Sequence, residues 1–198
     1  MQLSEQVAKN RKSNHKINPI ILNRWSPRSM SGEEITDEQL MALFEAARWA
    51  PSSYNNQPWR FIYAKRNTEH WNTIFNLMGE FNQSWTKNAA ALIVIVSKNT
   101  FDHNNNPSIT HSFDTGAAWE NLALQAEDLE LVSHGMQGFD YDKAKKDLAI
   151  PEGYSVEAMV AIGKKGRKED LPKELQDKEM PSQRKPLNEV VMEGKFKG

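Results

Sequence analysis

Residues 89–97 read Ala-Ala-Ala-Leu-Ile-Val-Ile-Val-Ser, a run with no charge and no polar alternation before its closing serine. It is rich in β-branched residues and well short of the roughly 20 apolar residues of a membrane helix, so it reads as a strand buried on both faces. Such a strand is stable only within a sheet covered above and below, and the rest of the chain must therefore supply helices for both sides.

Helix signals stand where that requirement needs them. Asn18-Pro19 is a polar cap followed by proline at the first helical position, opening a short helix through Ile20, Ile21 and Leu22. Thr36 and Gln39 form a capping box, and Leu40, Met41, Leu43, Phe44 and Ala47 then recur at helical spacing until Pro51 forces a stop. Thr68–Met78 reads as a second amphipathic helix with Trp71, Ile74, Phe75 and Met78 inward. Ile109–Leu131 reads as a long helix whose Gly116, Ala117, Ala118 and Ala123 suit a crowded centre or a subunit interface. Asp140 caps a helix over Tyr141–Leu148, and Trp59–Ala64 and Val156–Gly163 read as further strands. Residues 1–16 are polar and basic, an arm or frayed helix with no evident chemistry, and Ser133–Asp140 reads as a glycine-bearing loop.

With 198 residues, 38% of them apolar, the chain has ample material for one domain over residues 1–198. Lys+Arg 25 against Asp+Glu 26 leaves a formal charge of -1, which removes any global electrostatic case for nucleic acid. The basic cluster Lys9, Arg11, Lys12 and Lys16 precedes only a short apolar stretch, so neither a secretory leader nor a membrane anchor is expected and the cytoplasm is the expected location. The absence of cysteine excludes disulfides, thiolate metal ligands and a cysteine nucleophile. The sequence also lacks the nucleophile elbow, the Walker loop and the dinucleotide fingerprint.

Three polar stretches remain. Arg24, Ser26 and Arg28 alternate, and Pro27 favours the extended backbone that would project them to one side; two guanidiniums beside a hydroxyl suit a phosphate or carboxylate, the alternative being a solvated basic turn. The loop Ala-Pro-Ser-Ser-Tyr-Asn-Asn-Gln-Pro from Ala50 to Pro58 is dense in short polar groups, which suits either a heteroatom-rich ligand or a capped turn. The tail from Pro181 to Val191 begins basic and ends in a β-branched pair able to join a sheet edge, a partner's included. His103 and His111 lack metal-ligand spacing, and His134 reads as an ordinary loop histidine.

Taken together, Arg24-x-Ser26-x-Arg28, Ala50-Pro51-Ser52-Ser53-x-Asn55-x-Gln57-Pro58-Trp59-Arg60-Phe61, Gln137-Gly138-Phe139 and Arg184-Lys185-Pro186-Leu187-x-Glu189-Val190-Val191 resemble the nitroreductase family of FMN-dependent reductases, in the family's order. The resemblance implies an α+β fold with a central mixed sheet flanked by helices, and a homodimer whose C-terminal segments are exchanged between subunits. It implies FMN as cofactor, with Arg24, Ser26, Arg28 and Arg184 at its phosphate end and the Gln137–Gly138 backbone beside the flavin N5. Pro51, Ser52, Ser53 and Asn55 would reach the flavin from the other subunit, and Gln57 and Met136 complete the cofactor-binding set. Trp25 stands where relatives often carry a second arginine, and Gln137 where some carry glutamate. The implied activity is ping-pong electron transfer from NADH or NADPH to a nitroaromatic, quinone or similar small acceptor, with chemistry on the flavin and no catalytic side chain or metal. A flavin-binding protein without turnover, covered by Phe81, Trp85 or Phe139, and a dehalogenating or flavin-consuming relative are the alternatives, with a ligand-free helical scaffold as a third.

Overall fold

The computed structural model describes residues 2–196. In chain order the elements are α1 (Glu5–Asn10), α2 (Pro19–Asn23), α3 (Asp37–Arg48), β1 (Trp59–Lys65), α4 (Trp71–Phe75), α5 (Glu80–Thr86), β2 (Ala91–Lys98), α6 (His111–Asp128), β3 (Leu131–Met136), α7 (Tyr141–Asp147), β4 (Tyr154–Lys164), α8 (Lys173–Gln176) and α9 (Leu187–Val190). The strands form one sheet in the order β1-β2-β4-β3, and its three ladders are antiparallel.

β2 occupies the interior of that sheet, as its apolar run requires, and seven of its eight residues are buried. Its alternation divides the core. Ile93 and Ile95 face Leu40, Leu43 and Ala47 of α3 and Ala118, Leu122 and Ala126 of α6. Leu92, Val94 and Val96 face Ile74, Leu77, Trp85, Ala144 and Leu175 on the opposite side. A fully buried leucine or isoleucine contributes about 1.5–3 kcal/mol by leaving water, so both faces are held largely by apolar burial.

The predicted caps are present. The Thr36 side chain accepts from the Gln39 amide while the Gln39 side chain accepts from the Thr36 amide, both at 3.0 Å. Asn18 caps α2 with Pro19 at its first position, and Asp140 caps α7.

Three expectations are corrected. Thr68–Met78 is not one helix: only Trp71–Phe75 is helical, and a second helix begins at Glu80 beyond Gly79. Leu131–Met136, within the expected long helix and glycine loop, is the edge strand β3, because its polar residues find buried partners across the fold. Residues 2–16 are more than a frayed arm, since Val7 and Arg11 of this segment are buried. The tail's Val190 and Val191 are exposed and lie in no strand of this chain.

Candidate functional site

α2 ends at Asn23, and the chain leaves it extended, carrying Arg24, Ser26 and Arg28 past the edge strand β3. Three anchors hold this segment. Both oxygens of the buried Glu179 carboxylate accept from the Arg28 amide, at 2.9 and 3.0 Å, and one of them also accepts from the Ser29 amide at 2.9 Å and the Ser29 hydroxyl at 2.7 Å. His134 Nδ1 donates to the Pro27 carbonyl at 3.0 Å. Beyond it, Ser31 and Gly166 donate to Lys164 and Ser29 carbonyls, each at 3.0 Å, fastening the segment to the end of β4. Gly166 is required there: a Cβ would lie 2.6 Å from the Met30 carbonyl carbon.

The result is a cleft of about 260 Å³ lined by the cations Arg11, Arg24, Arg28, Lys178 and Arg184 together with Ser26 and His134. The Nε atoms of Arg24 and Arg28 are buried without a hydrogen-bond partner. Glu120 approaches Arg24 Nε at 3.6 Å, close enough for attraction but too far for a hydrogen bond. The Arg28 guanidinium lies 5.9 Å from the Trp85 ring centre, which limits its orientation. Burial pushes the His134 pKa down, and the nearby Arg28 charge adds to that, while the Pro27 carbonyl opposes it. The histidine is therefore a neutral ring inside a cationic cleft. Its second nitrogen is left as an acceptor by the tautomer this bond selects. Buried guanidinium donors without acceptors are the complement of a phosphate, which offers three oxygens to such forks.

The expected set Arg24, Ser26, Arg28 and Arg184 is thus brought together. Met136 ends β3 two residues beyond His134, a step of about 7 Å along the strand. Gln137 and Gly138 follow on that edge. The Gly138 carbonyl accepts from Asn82 Nδ2 at 2.8 Å, and a Cβ at Gly138 would meet that same nitrogen at 2.7 Å.

The loop from Ala50 to Pro58 lies elsewhere. None of Pro51, Ser52, Ser53, Asn55 and Gln57 lines the arginine cleft. Asn55 and Gln57 instead border a second cavity of about 340 Å³ with Arg60 and His103. The loop is built rather than loose: Tyr54, Asn55 and Gln57 all have positive φ, the Ser52 hydroxyl accepts from the Gln57 amide at 3.0 Å, and the buried Asp114 carboxylate accepts from the Ser53 amide at 3.1 Å. Tyr54 is 81% exposed, and Ile109 and Phe113, just before and within α6, are exposed as well. A strained, anchored loop with an exposed tyrosine at its tip is suited to meeting another surface.

Arg11, Lys178, Glu179, His134 and Asp114 were not singled out by sequence as members or supports of these clefts. Glu179, His134 and Asp114 find partners 61 to 151 residues away, and Arg11 reaches Ser182, 171 residues on.

Known proteins share this arrangement of chain. The model of the Nitroreductase family matches residues 21–80 and 68–164. An Archaeoglobus fulgidus protein provisionally named NADH dehydrogenase/NAD(P)H nitroreductase is 30% identical over 151 residues, covering 73% of this chain and 82% of its own. A crystal structure presented as an oxidoreductase containing FMN superposes with a TM-score of 0.92 at 44% identity, covering 100% of both chains. A provisionally assigned nitroreductase from Desulfovibrio desulfuricans, solved in complex with FMN, gives a TM-score of 0.70 at 25% identity, covering 92% of this chain and 100% of that one.

Proposed function

The chain belongs to the nitroreductase family, and from that premise we propose that it is an FMN-dependent oxidoreductase, a homodimer that draws electrons from NADH or NADPH and passes them to small electron-poor acceptors such as nitroaromatics and quinones. The observation that carries this reading is the cleft in which Arg24 and Arg28 bury guanidinium nitrogens without acceptors. FMN, when bound, would supply the hydride chemistry, and a donor and an acceptor taking turns in one cleft would make the cycle ping-pong.

The chain's own residues bind, orient and exclude water. Arg24, Arg28 and Arg184, with the Ser26 hydroxyl, hold the phosphate. Arg28 meets it with little reorganisation, because Glu179 has already fastened its backbone and Trp85 its side chain. The Gln137–Gly138 backbone, its turn steadied by Asn82, would stand beside the reactive edge of bound FMN. Pro51, Ser52, Ser53, Asn55 and Gln57 of one subunit close over the flavin of its neighbour, and the exposed tail after Arg184 crosses to the other subunit. The separation of loop and arginine cleft within one chain supports this sharing.

A flavin binder without turnover needs aromatic cover over the reactive face. Trp85 is 2% exposed in the core and Phe139 stacks on Tyr141 at 4.2 Å, which leaves the exposed Phe81 as the candidate cover that the test must decide on. The test is spectroscopic. FMN-loaded protein kept free of oxygen should bleach on adding NADH or NADPH and regain its colour on adding a quinone. Colour unmoved by either nicotinamide would identify a binder, and a protein that takes up no FMN would be a scaffold.

A further inference from the structure

Arg11 belongs to the N-terminal segment, yet only 7% of it is exposed and it reaches three places in the chain. Its Nε donates to the Ser182 carbonyl at 3.0 Å, and its Nη1 donates to the carbonyls of Leu22 at 2.6 Å and Arg24 at 2.7 Å. The same Ser182 carbonyl accepts from Arg184 Nη1 at 3.2 Å. One guanidinium therefore binds the backbone of Arg24 to the backbone two residues before Arg184. These are the two separate segments that furnish the cationic cleft, and Arg11 itself lines it.

The segment that carries Arg11 is fastened independently. Val7 is fully buried, the Ser4 amide donates to Asn23 Oδ1 at 3.0 Å, and Asn23 Nδ2 donates to the Gln2 carbonyl at 2.9 Å. Burial and the neighbouring Arg184 and Arg24 charges all disfavour the Arg11 cation. An anion in the cleft would offset that cost, so an Arg11 held in place and a filled cleft would favour one another.

We propose that Arg11 is a positioning residue for the anion cleft, joining the Arg24 and Arg184 segments so that their guanidiniums converge on one phosphate. This rests on the FMN reading and adds to it a part for a segment outside the flavin motifs. Loss of Arg11 should act on the phosphate end of the cofactor and leave the flavin ring's contacts alone.

Apo-protein of wild type, Arg11→Met and Arg11→Lys is titrated with FMN and with riboflavin, which lacks the phosphate. The expected result is FMN affinity lower by roughly tenfold or more in Arg11→Met, with riboflavin affinity unchanged and partial recovery in Arg11→Lys. Equal weakening of both flavins, or unchanged FMN affinity, overturns the proposal. Hydrogen exchange of the wild-type protein decides the matter even where Arg11→Met does not fold. FMN should slow exchange at residues 9–12 and 182–184 together with 24–28, and slowing confined to 24–28 overturns it. A wild type that binds no FMN defeats the flavin reading itself, whereas a wild type that binds FMN beside an indifferent Arg11→Met defeats this inference alone.

Discussion

At Arg24 a side chain with 16% of its surface exposed keeps its Nε buried without an acceptor. A hydrogen bond to a charged group is worth about 1.5–3 kcal/mol, so Arg24→Ala should weaken FMN binding by about one to two powers of ten in a fluorescence titration. Unchanged affinity would remove the phosphate from this cleft. His134 makes a different prediction. Burial depresses its pKa in the fold, so the unfolded chain takes up the proton first as pH falls below about 6.5. Stability is thus retained at neutral pH and lost as pH drops through that region. His134→Gln should flatten the fall, seen as a smaller change in urea midpoint between about pH 7.5 and about pH 5. Legibility at this scale followed distance along the chain. Arg24, Ser26 and Arg28 announce themselves by alternation, whereas Glu179, His134 and Arg11 acquire meaning only from carbonyls and amides 11 to 171 residues away.

The elements divide in the same way. β2, the Thr36–Gln39 box and the Asn18-Pro19 start were readable because their signals are local: an unbroken apolar run, a reciprocal pair of side chains, a missing amide where none is needed. β3 was not, because Ser133, His134 and Gly135 look like loop until Pro27 meets the histidine and Trp119 packs over the glycine, where a Cβ would lie 3.2 Å from the ring. The loop after α3 reads as a candidate site or a capped turn from sequence, but its anchor on α6 does not show there. Asp114 holds the Ser53 amide and accepts from the Thr110 hydroxyl at 3.2 Å. Asp114→Ala should cost about 1–3 kcal/mol in chemical unfolding and speed hydrogen exchange at Ser53. Exchange at Ser53 that stays as slow as in wild type would show the loop to be held by its own turns.

Across the molecule, one chain would carry two half-sites under the proposed function. The arginine cleft and the Asn55–Gln57 cavity are lined by different residues, and Tyr54, Ile109, Phe113, Val190 and Val191 leave apolar surface open. Where such side chains adjoin, they offer area that another surface can cover. In the proposed two-fold dimer this surface would be covered and a loop from one subunit would reach the cleft of the other, which would make the assembled pair the unit that binds flavin. Size-exclusion chromatography with light scattering and flavin absorbance, followed on serial dilution, tests that claim directly. Flavin should travel only with the mass of two chains and dissociate as the dimer does; a flavin-loaded species with the mass of one chain would contradict it.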